Sequence, residues 1–474
     1  MVKKVISTLL IVILACFAAS IKTFASFEKI NYQNNKFGIH LAVPGNEDLE
    51  DAADLVNSSG GDWGYVTLVM EEGDRNKDKW QGVFDLCRQL HLIPIIRLAT
   101  SAEGENWRRP RIEQAKEWAE FLDSLNWVIK NRYLVLFNEP NHGQEWGGQA
   151  DPQDYALIAF EFAKILKETN ADFFVMLAGF DAAAPQKPPL YFDEKIFLQI
   201  VLVNKPQIFE YIDGWSSHSY PNHGYVGSPT GSGRNSIKTY LWELDLLKSL
   251  GVQKDLPVFI TETGWPHAEG LNEERSYFSA EAATKNFQTY FEQLINDEQV
   301  IAITPFILNY QGDLFDHFSW RKPGEPKEFY PQHGQVLGIS KTKGEPEQEQ
   351  KLVIVSQLPE KLIANSKNKV KIEILNEGQG IWAWRDGYYL ELVGETKDKV
   401  KYSFDVFDEV MPFKKQTIFA NIEVGEEKEG LELFLAIVKD DKVVTNQIDW
   451  PFKTVSQWSF NGIIIRVRNL LGKF

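Results

Sequence analysis

Two glutamates in this chain each stand at the end of a short apolar run: Glu139 after residues 132–137 and Glu262 after residues 257–261. The ends of the other apolar runs, read in order, give His40, Met70, Arg97, Gly179, His218 with Tyr220, and Asn309 with Tyr310. A strand end built only for packing has no use for Glu or Arg. Two carboxyl groups facing one another can cleave a glycosidic bond. One protonates the leaving oxygen, and the other attacks the anomeric carbon or activates a water. In that chemistry Glu139 must carry a proton, which burial and a negative neighbour favour. Glu262 must stay ionised and needs donors such as Tyr220 and Arg97. Either glutamate alone reads equally well as the first residue of a helix, and Arg97 as a plain ion-pair partner; the pair of acids carries the inference. His40, His142, His218 and His223 offer neither a His-x-His nor a His-Glu-x-x-His spacing, so no metal site is expected. Gly231-Ser232-Gly233-Arg234 lacks the Lys-Ser/Thr of a phosphate loop, and no cofactor is expected.

The elements that must hold these residues alternate. Residues 37–43, 65–70, 92–98, 132–137, 173–178, 212–217, 257–261 and 301–308 are apolar on both faces, as parallel strands covered by helices should be. Helical patterns fill the gaps, for example over 112–125, 154–168 and 280–295. Eight such units in residues 30–340 predict an α/β chain folded as a (β/α)8 barrel, with its chemistry at the C-terminal ends of the strands. Val43-Pro44-Gly45-Asn46 after the first strand is no glycine fingerprint, which argues against an open doubly wound sheet. Strands four and seven face each other across such a mouth, close enough to bring two carboxyls to about 5 Å.

Phe137-Asn138-Glu139-Pro140-Asn141 resembles the Asn-Glu-Pro signature of the large clan of retaining (β/α)8 glycoside hydrolases. Ile260-Thr261-Glu262-Thr263-Gly264-Trp265-Pro266 resembles that clan's nucleophile segment on strand seven. The resemblance covers residues 37 to about 340. It implies Glu139 as acid/base and Glu262 as nucleophile. It implies Asn138 on the sugar 2-hydroxyl, Tyr220 holding the nucleophile, His218 on the same wall, and Arg97 near the nucleophile. Arg97 falls on the third predicted strand, whereas the clan has its arginine on the second. For the aromatic platform of strand eight, Phe306, Tyr310 and Trp320 compete. His40 and Trp265 complete the expected sugar contacts. Trp146, Trp265 and Trp320 near strand ends suit sugar stacking and core packing alike.

Composition changes at 341–350, a polar Pro/Gly-bearing stretch read as a linker. Over 351–452 short β runs recur, predicting a small immunoglobulin-like β-sandwich. Its Asn376-Glu377-Gly378-Gln379-Gly380-Ile381-Trp382 turn resembles that of bacterial sandwiches that mostly act as spacers. Trp382 and Trp384, two apart, would face one side of an extended strand. The tail, 453–474, is basic and apolar after Gln457 and suits a membrane surface or docking on the barrel. Residues 1–25 read as an export signal, with Lys3 and Lys4 before an apolar run; a retained anchor and a lipid-modified Cys16 are the alternatives. Cys87 is then the one cysteine left, so no internal disulfide supports the fold. A net charge of −16 offers no basic face for nucleic acid. The expectation is an exported enzyme, secreted or held at the cell surface, acting as a monomer on a carbohydrate. A transglycosylase and a catalytically silent sugar-binding or adhesion protein on the same barrel are the competing readings.

Overall fold

The computed structural model describes residues 33–394, 397, 400–425 and 431–470. The expected export segment with Cys16, and the tail beyond residue 470, lie outside them. Eight strands lead the chain: β1 Gly38–Leu41, β2 Gly64–Glu71, β3 Leu92–Ala99, β4 Arg132–Leu136, β5 Phe173–Leu177, β6 Trp215–His218, β7 Val258–Glu262 and β8 Val300–Ile303. Strands β1 to β5 pair in parallel in sequence order, and so do β6, β7 and β8. Parallel bridges Met176–Gly214 and Phe37–Ile303 join the two arcs. The sheet therefore closes into a barrel. Its interior is filled by rings from four strands: Tyr133 lies 4.9 Å from Phe259 and 5.0 Å from Phe174, with Tyr65 at 6.2 Å. It is a packed core, not a pore.

Helices α1 Asn46–Val56, α2 Lys77–Gln89, α3 Gln114–Asp123, α4 Pro152–Thr169, α5 Glu194–Asn204, α6 Thr239–Ser249, α7 Ala280–Leu294 and α8 Pro331–Leu337 surround the strands. Their starts are written in the sequence. Asp151 accepts from the Gln153 and Asp154 amides ahead of α4, with Pro152 in its first turn. Asn76, Asp193 and Ser279 cap α2, α5 and α7 in the same way. Tyr155, Ala159, Phe162, Ala163 and Leu166 then turn one face of α4 inward. Cys87 is buried in α2, and burial pushes its thiol up to about 12, so it stays unreactive.

Beyond the barrel, β9 Leu352–Ile354, β11 Ser366–Asn376, β14 Lys415–Val424 and β13 Val400–Phe404 form one antiparallel sheet, in the order β9-β11-β14-β13. Strands β10 Lys361–Ile363, β16 Ile448–Val455, β15 Leu431–Lys439 and β12 Tyr388–Val393 form a second sheet in that order, antiparallel except for the parallel pair β10–β16. Alternate residues of both sheets, among them Ile372, Ile374, Ile418, Leu390, Leu433 and Trp450, share one apolar core. A last helix, α9 Phe460–Leu470, packs on β10.

Two expectations need correction. Residues 341–350 are not a free linker. Lys341 Nζ donates to Ser58 Oγ and to the Val336 and Ile339 carbonyls, Glu345 N to Gln33 O, and Gln348 Nε2 to Val128 O. The segment is strapped across the N-terminal end of the barrel, because its polar side chains satisfy loop carbonyls there. Trp382 and Trp384 do not share a face either. The strand stops at Ala383 and a 3-10 turn begins at Trp384, so Trp382 is buried and Trp384 is exposed.

Candidate active site

Glu262 is the last residue of β7, and Glu139 is the third residue after β4. The chain leaves β4 with Phe137 at φ 74° and Glu139 at φ 28°, conformations a side-chain-bearing residue adopts at a cost of roughly 1–3 kcal/mol each. Glu139 N donates to Gly179 O at 3.1 Å, and His142 N donates to Glu139 O at 2.8 Å, which holds the turn. Both carboxyls lie at the C-terminal ends of their strands and approach one another. Donor atoms of Glu139, His218 and Glu262 all lie within 4.8 Å of one another.

His218, ending β6, sits between the two acids. Its Nδ1 is 2.8 Å from Glu139 Oε1 and 3.8 Å from Glu262 Oε2. Burial works against a charge on this ring, but Glu262 and Glu139 outweigh it and raise its affinity for a proton above that of an ordinary histidine. Glu262 is supplied with donors on both oxygens. Arg97 Nη1, from β3, donates to Oε1 at 2.6 Å, and Tyr220 Oη donates to Oε2 at 3.2 Å. Burial alone would raise its pKa; His218, Arg97 and the Tyr220 hydroxyl together hold it below the usual carboxylate range. Arg97 also donates to Asn138 Oδ1, tying the segment before Glu139 to the partner of Glu262.

His40, at β1, is 1% exposed, and neither ring nitrogen has a hydrogen-bond partner among the described residues. Its Nε2 faces Glu262 Oε1 at 3.8 Å, and burial lowers its pKa to about 3, so the ring is neutral. A buried imidazole with neither nitrogen bonded is unusual, and this one lies beside Glu262. Phe306 packs its edge on His40 at 5.1 Å between ring centres, and joins Tyr220, Tyr310 and Ile307 in a cluster of its own. Of the three rings competing after strand eight, Phe306 reaches the site, Tyr310 lies half-buried at its rim, and Trp320 is core.

Trp265 is the site residue that the structure removes. It is 1% exposed, its indole donates to Gly227 O at 2.9 Å, and it packs on Phe287 and Tyr290 of α7. Gly264, at φ 144°, turns the chain outward just after Glu262. Trp146 and Trp320 are equally buried, so all three tryptophans near strand ends serve packing.

Three groups here escaped the sequence reading. Glu145, in the 3-10 turn Gly143–Glu145, shares a small cavity with Arg97, Trp107 and Asn138. Burial, then the negative Glu139, raises its carboxyl to about 7. His142 Nε2 lies 2.8 Å from Asp181 Oδ2, a second acid–imidazole pair beside Glu139. Tyr225 packs on Tyr220 at 5.0 Å. None lies at a strand end, where sequence attention falls.

The spacing of the Glu139, His218 and Glu262 donors would also admit a metal ion. The charges argue for another use: Arg97 already sits 2.6 Å from Glu262 Oε1, where it would repel a cation, and the two acids favour a protonated His218.

No family model and no curated protein matches this chain. Solved structures similar to it are glycoside hydrolases. A monomeric β-xylosidase from Caulobacter crescentus CB15 has a TM-score of 0.45 and 11% identity, over 74% of this chain and 76% of that one. A GH128 (subgroup II) endo-β-1,3-glucanase from Pseudomonas viridiflava has a TM-score of 0.42 and 14% identity, over 64% and 97%. An FMN-binding β-glucuronidase from Facaelibacterium prausnitzii L2-6 has a TM-score of 0.41 and 10% identity; 90% of this chain is covered but only 57% of that longer one.

Proposed function

We propose that this chain is a retaining glycosidase acting on a β-linked glycan or glycoside by double displacement. The observation that carries the proposal is the approach of Glu139 and Glu262 to within 4.8 Å, oxygen to oxygen. Retaining enzymes hold their carboxyls about 5–5.5 Å apart, and inverting ones leave room for a water at about 6.5–9.5 Å. Glu262, ionised and held by Arg97 and Tyr220, attacks the anomeric carbon. Glu139, fixed through Oε1 by His218, gives a proton from Oε2 to the departing oxygen. The glycosyl–Glu262 ester no longer carries a negative charge, so Glu139 can then act as base and take a proton from the incoming water. Water as acceptor gives hydrolysis, and a sugar hydroxyl gives transglycosylation. A silent sugar-binding protein would have no use for two donors aimed at separate oxygens of a buried carboxylate.

The accompanying reading is that 351–452 is an immunoglobulin-like spacer. In the same reading 1–25 directs export and the enzyme works as a monomer. The test is a screen of the purified protein on aryl glycosides and polysaccharides, followed by two variants. Glu262→Gly should lose on the order of 10⁴-fold in rate, with azide restoring part of it as a glycosyl azide of inverted configuration. Glu139→Ala should retain more activity on substrates with good leaving groups than on ordinary glycosides. Parental rates in both variants would overturn the assignment.

A further inference from the structure

We propose that helix α9 is a membrane-surface anchor that seats the enzyme on an anionic phospholipid bilayer. Ser459 starts the helix, accepting from the Gly462 amide at 3.1 Å. At about 100° per residue, Phe460, Ile463, Ile464 and Val467 fall on one arc of about 100°. That arc faces solvent: the four residues are 80%, 50%, 39% and 49% exposed. Ile465 is half-buried and, with Ile464 and Arg468 at the edge of the arc, lines a groove against Leu358 and Pro359, so the helix is attached to the β-unit along that side and leaves Phe460, Ile463 and Val467 to solvent. An amphipathic helix of a globular domain normally buries its apolar stripe; this one presents it.

The flanks say what covers the stripe. Arg466 and Arg468 border the apolar arc on opposite sides, where lipid head groups would lie if the stripe entered a bilayer. Trp458, 76% exposed, stands just before the helix, with Arg466 over its ring at 5.8 Å. Cations and an indole at the polar–apolar boundary match a helix lying in a membrane interface. From Gln457 to Phe474 the sequence has no acid, while the whole chain carries −16. An anionic surface therefore attracts this face and repels the rest, which fixes the orientation of the body. A second copy of the helix would bring arginines against arginines. Among the described residues no helix is long and apolar enough to cross a membrane, so α9 lies on the surface and does not span it.

The test is hydrogen–deuterium exchange on the full chain, with vesicles of equimolar phosphatidylglycerol and phosphatidylcholine or of phosphatidylcholine alone. The local readout separates α9 from any effect of residues 1–25. Amides 460–470 should gain protection on the anionic vesicles only. Arg466→Gln with Arg468→Gln should raise the lipid concentration for half-protection roughly thirtyfold at low salt. Ile463→Ser with Val467→Ser should abolish the protection while hydrolysis of an aryl glycoside stays at the parental rate, which shows the barrel intact. Unchanged exchange on anionic vesicles, or equal protection on neutral ones, would overturn the proposal. So would protection that rises with protein concentration in the absence of lipid, which would mean self-association.

Discussion

At the scale of single residues, the site depends on an atom that is missing. A Cβ on Gly179 would sit 2.1 Å from His218 Cδ2, so His218 reaches Glu139 only because residue 179 has no side chain. Gly179→Ala should push the imidazole away and cut kcat by about a hundredfold, the scale of a 1 Å misplacement, with little change in KM. Parental kcat in a folded variant would show that His218 does not position Glu139. Glu145 gives a pH prediction. Its carboxyl, ordinarily near 4.5, is raised to about 7 in the folded chain. The stability it contributes is thus complete below pH 4.5 and is lost as pH rises through about 7. Thermal scans of the parent should show this loss relative to Glu145→Gln, so the difference in Tm should grow in favour of the variant between pH 4.5 and 7. Parallel Tm curves would remove Glu145 from the buried network. The sequence made Glu139, Glu262, Arg97, His218 and Tyr220 legible because charged or polar types at the ends of apolar runs have no packing purpose. Glu145 was not legible, because an acid in an irregular turn looks like any solvated loop residue.

At the scale of elements, period decided what could be read. The eight strands lie where runs apolar on both faces placed them, since burial on two sides leaves that signature. Strand ends were less legible. The apolar run 301–308 suggested a long last strand, but β8 stops at Ile303. The run continues because Phe306 and Ile307 are buried in the cluster beside the site and Leu308 in the barrel core, not because they extend the ladder. Pro305, lacking an N–H, cannot donate to a neighbouring strand. Trp265 shows the same limit: its type suggests a sugar platform, and only the turn at Gly264 reveals that it faces α7. This correction is testable. Trp265→Phe loses the hydrogen bond to Gly227 O and some packing volume, so it should cost about 2 kcal/mol of stability, read by urea titration. KM for an aryl glycoside should stay within about twofold of the parent. Phe306→Ala, at the cleft, should raise KM instead. A Trp265 effect on KM without loss of stability would return that ring to the mouth.

At the scale of the whole molecule, the two units meet at the end of the barrel opposite the carboxylates. Among the contacts are hydrogen bonds between the β-unit or its strap and the loop that enters β4. Gln379 Nε2 donates to Ile129 O at 2.9 Å, Asn126 Nδ2 to Gly378 O at 3.0 Å, and Lys130 N to Glu347 O at 2.9 Å. Glu139 sits at the far end of that same strand. A truncation made at Lys341, where composition changes, would also remove Glu345 and Gln348, which bond to the barrel. A chain ending at Gln350 keeps those strap contacts and gives the cleaner experiment. Loss of the β-unit strips partners from the Ile129 carbonyl and the Asn126 amide and exposes the surface they covered. Each lost hydrogen bond costs about 1 kcal/mol, so Tm should fall by several degrees. The mouth is untouched, so kcat/KM on an aryl glycoside should stay within about twofold below the new Tm. If the truncated chain is folded by circular dichroism yet inactive, the β-unit helps to build the site from a distance, and its reading as a spacer fails.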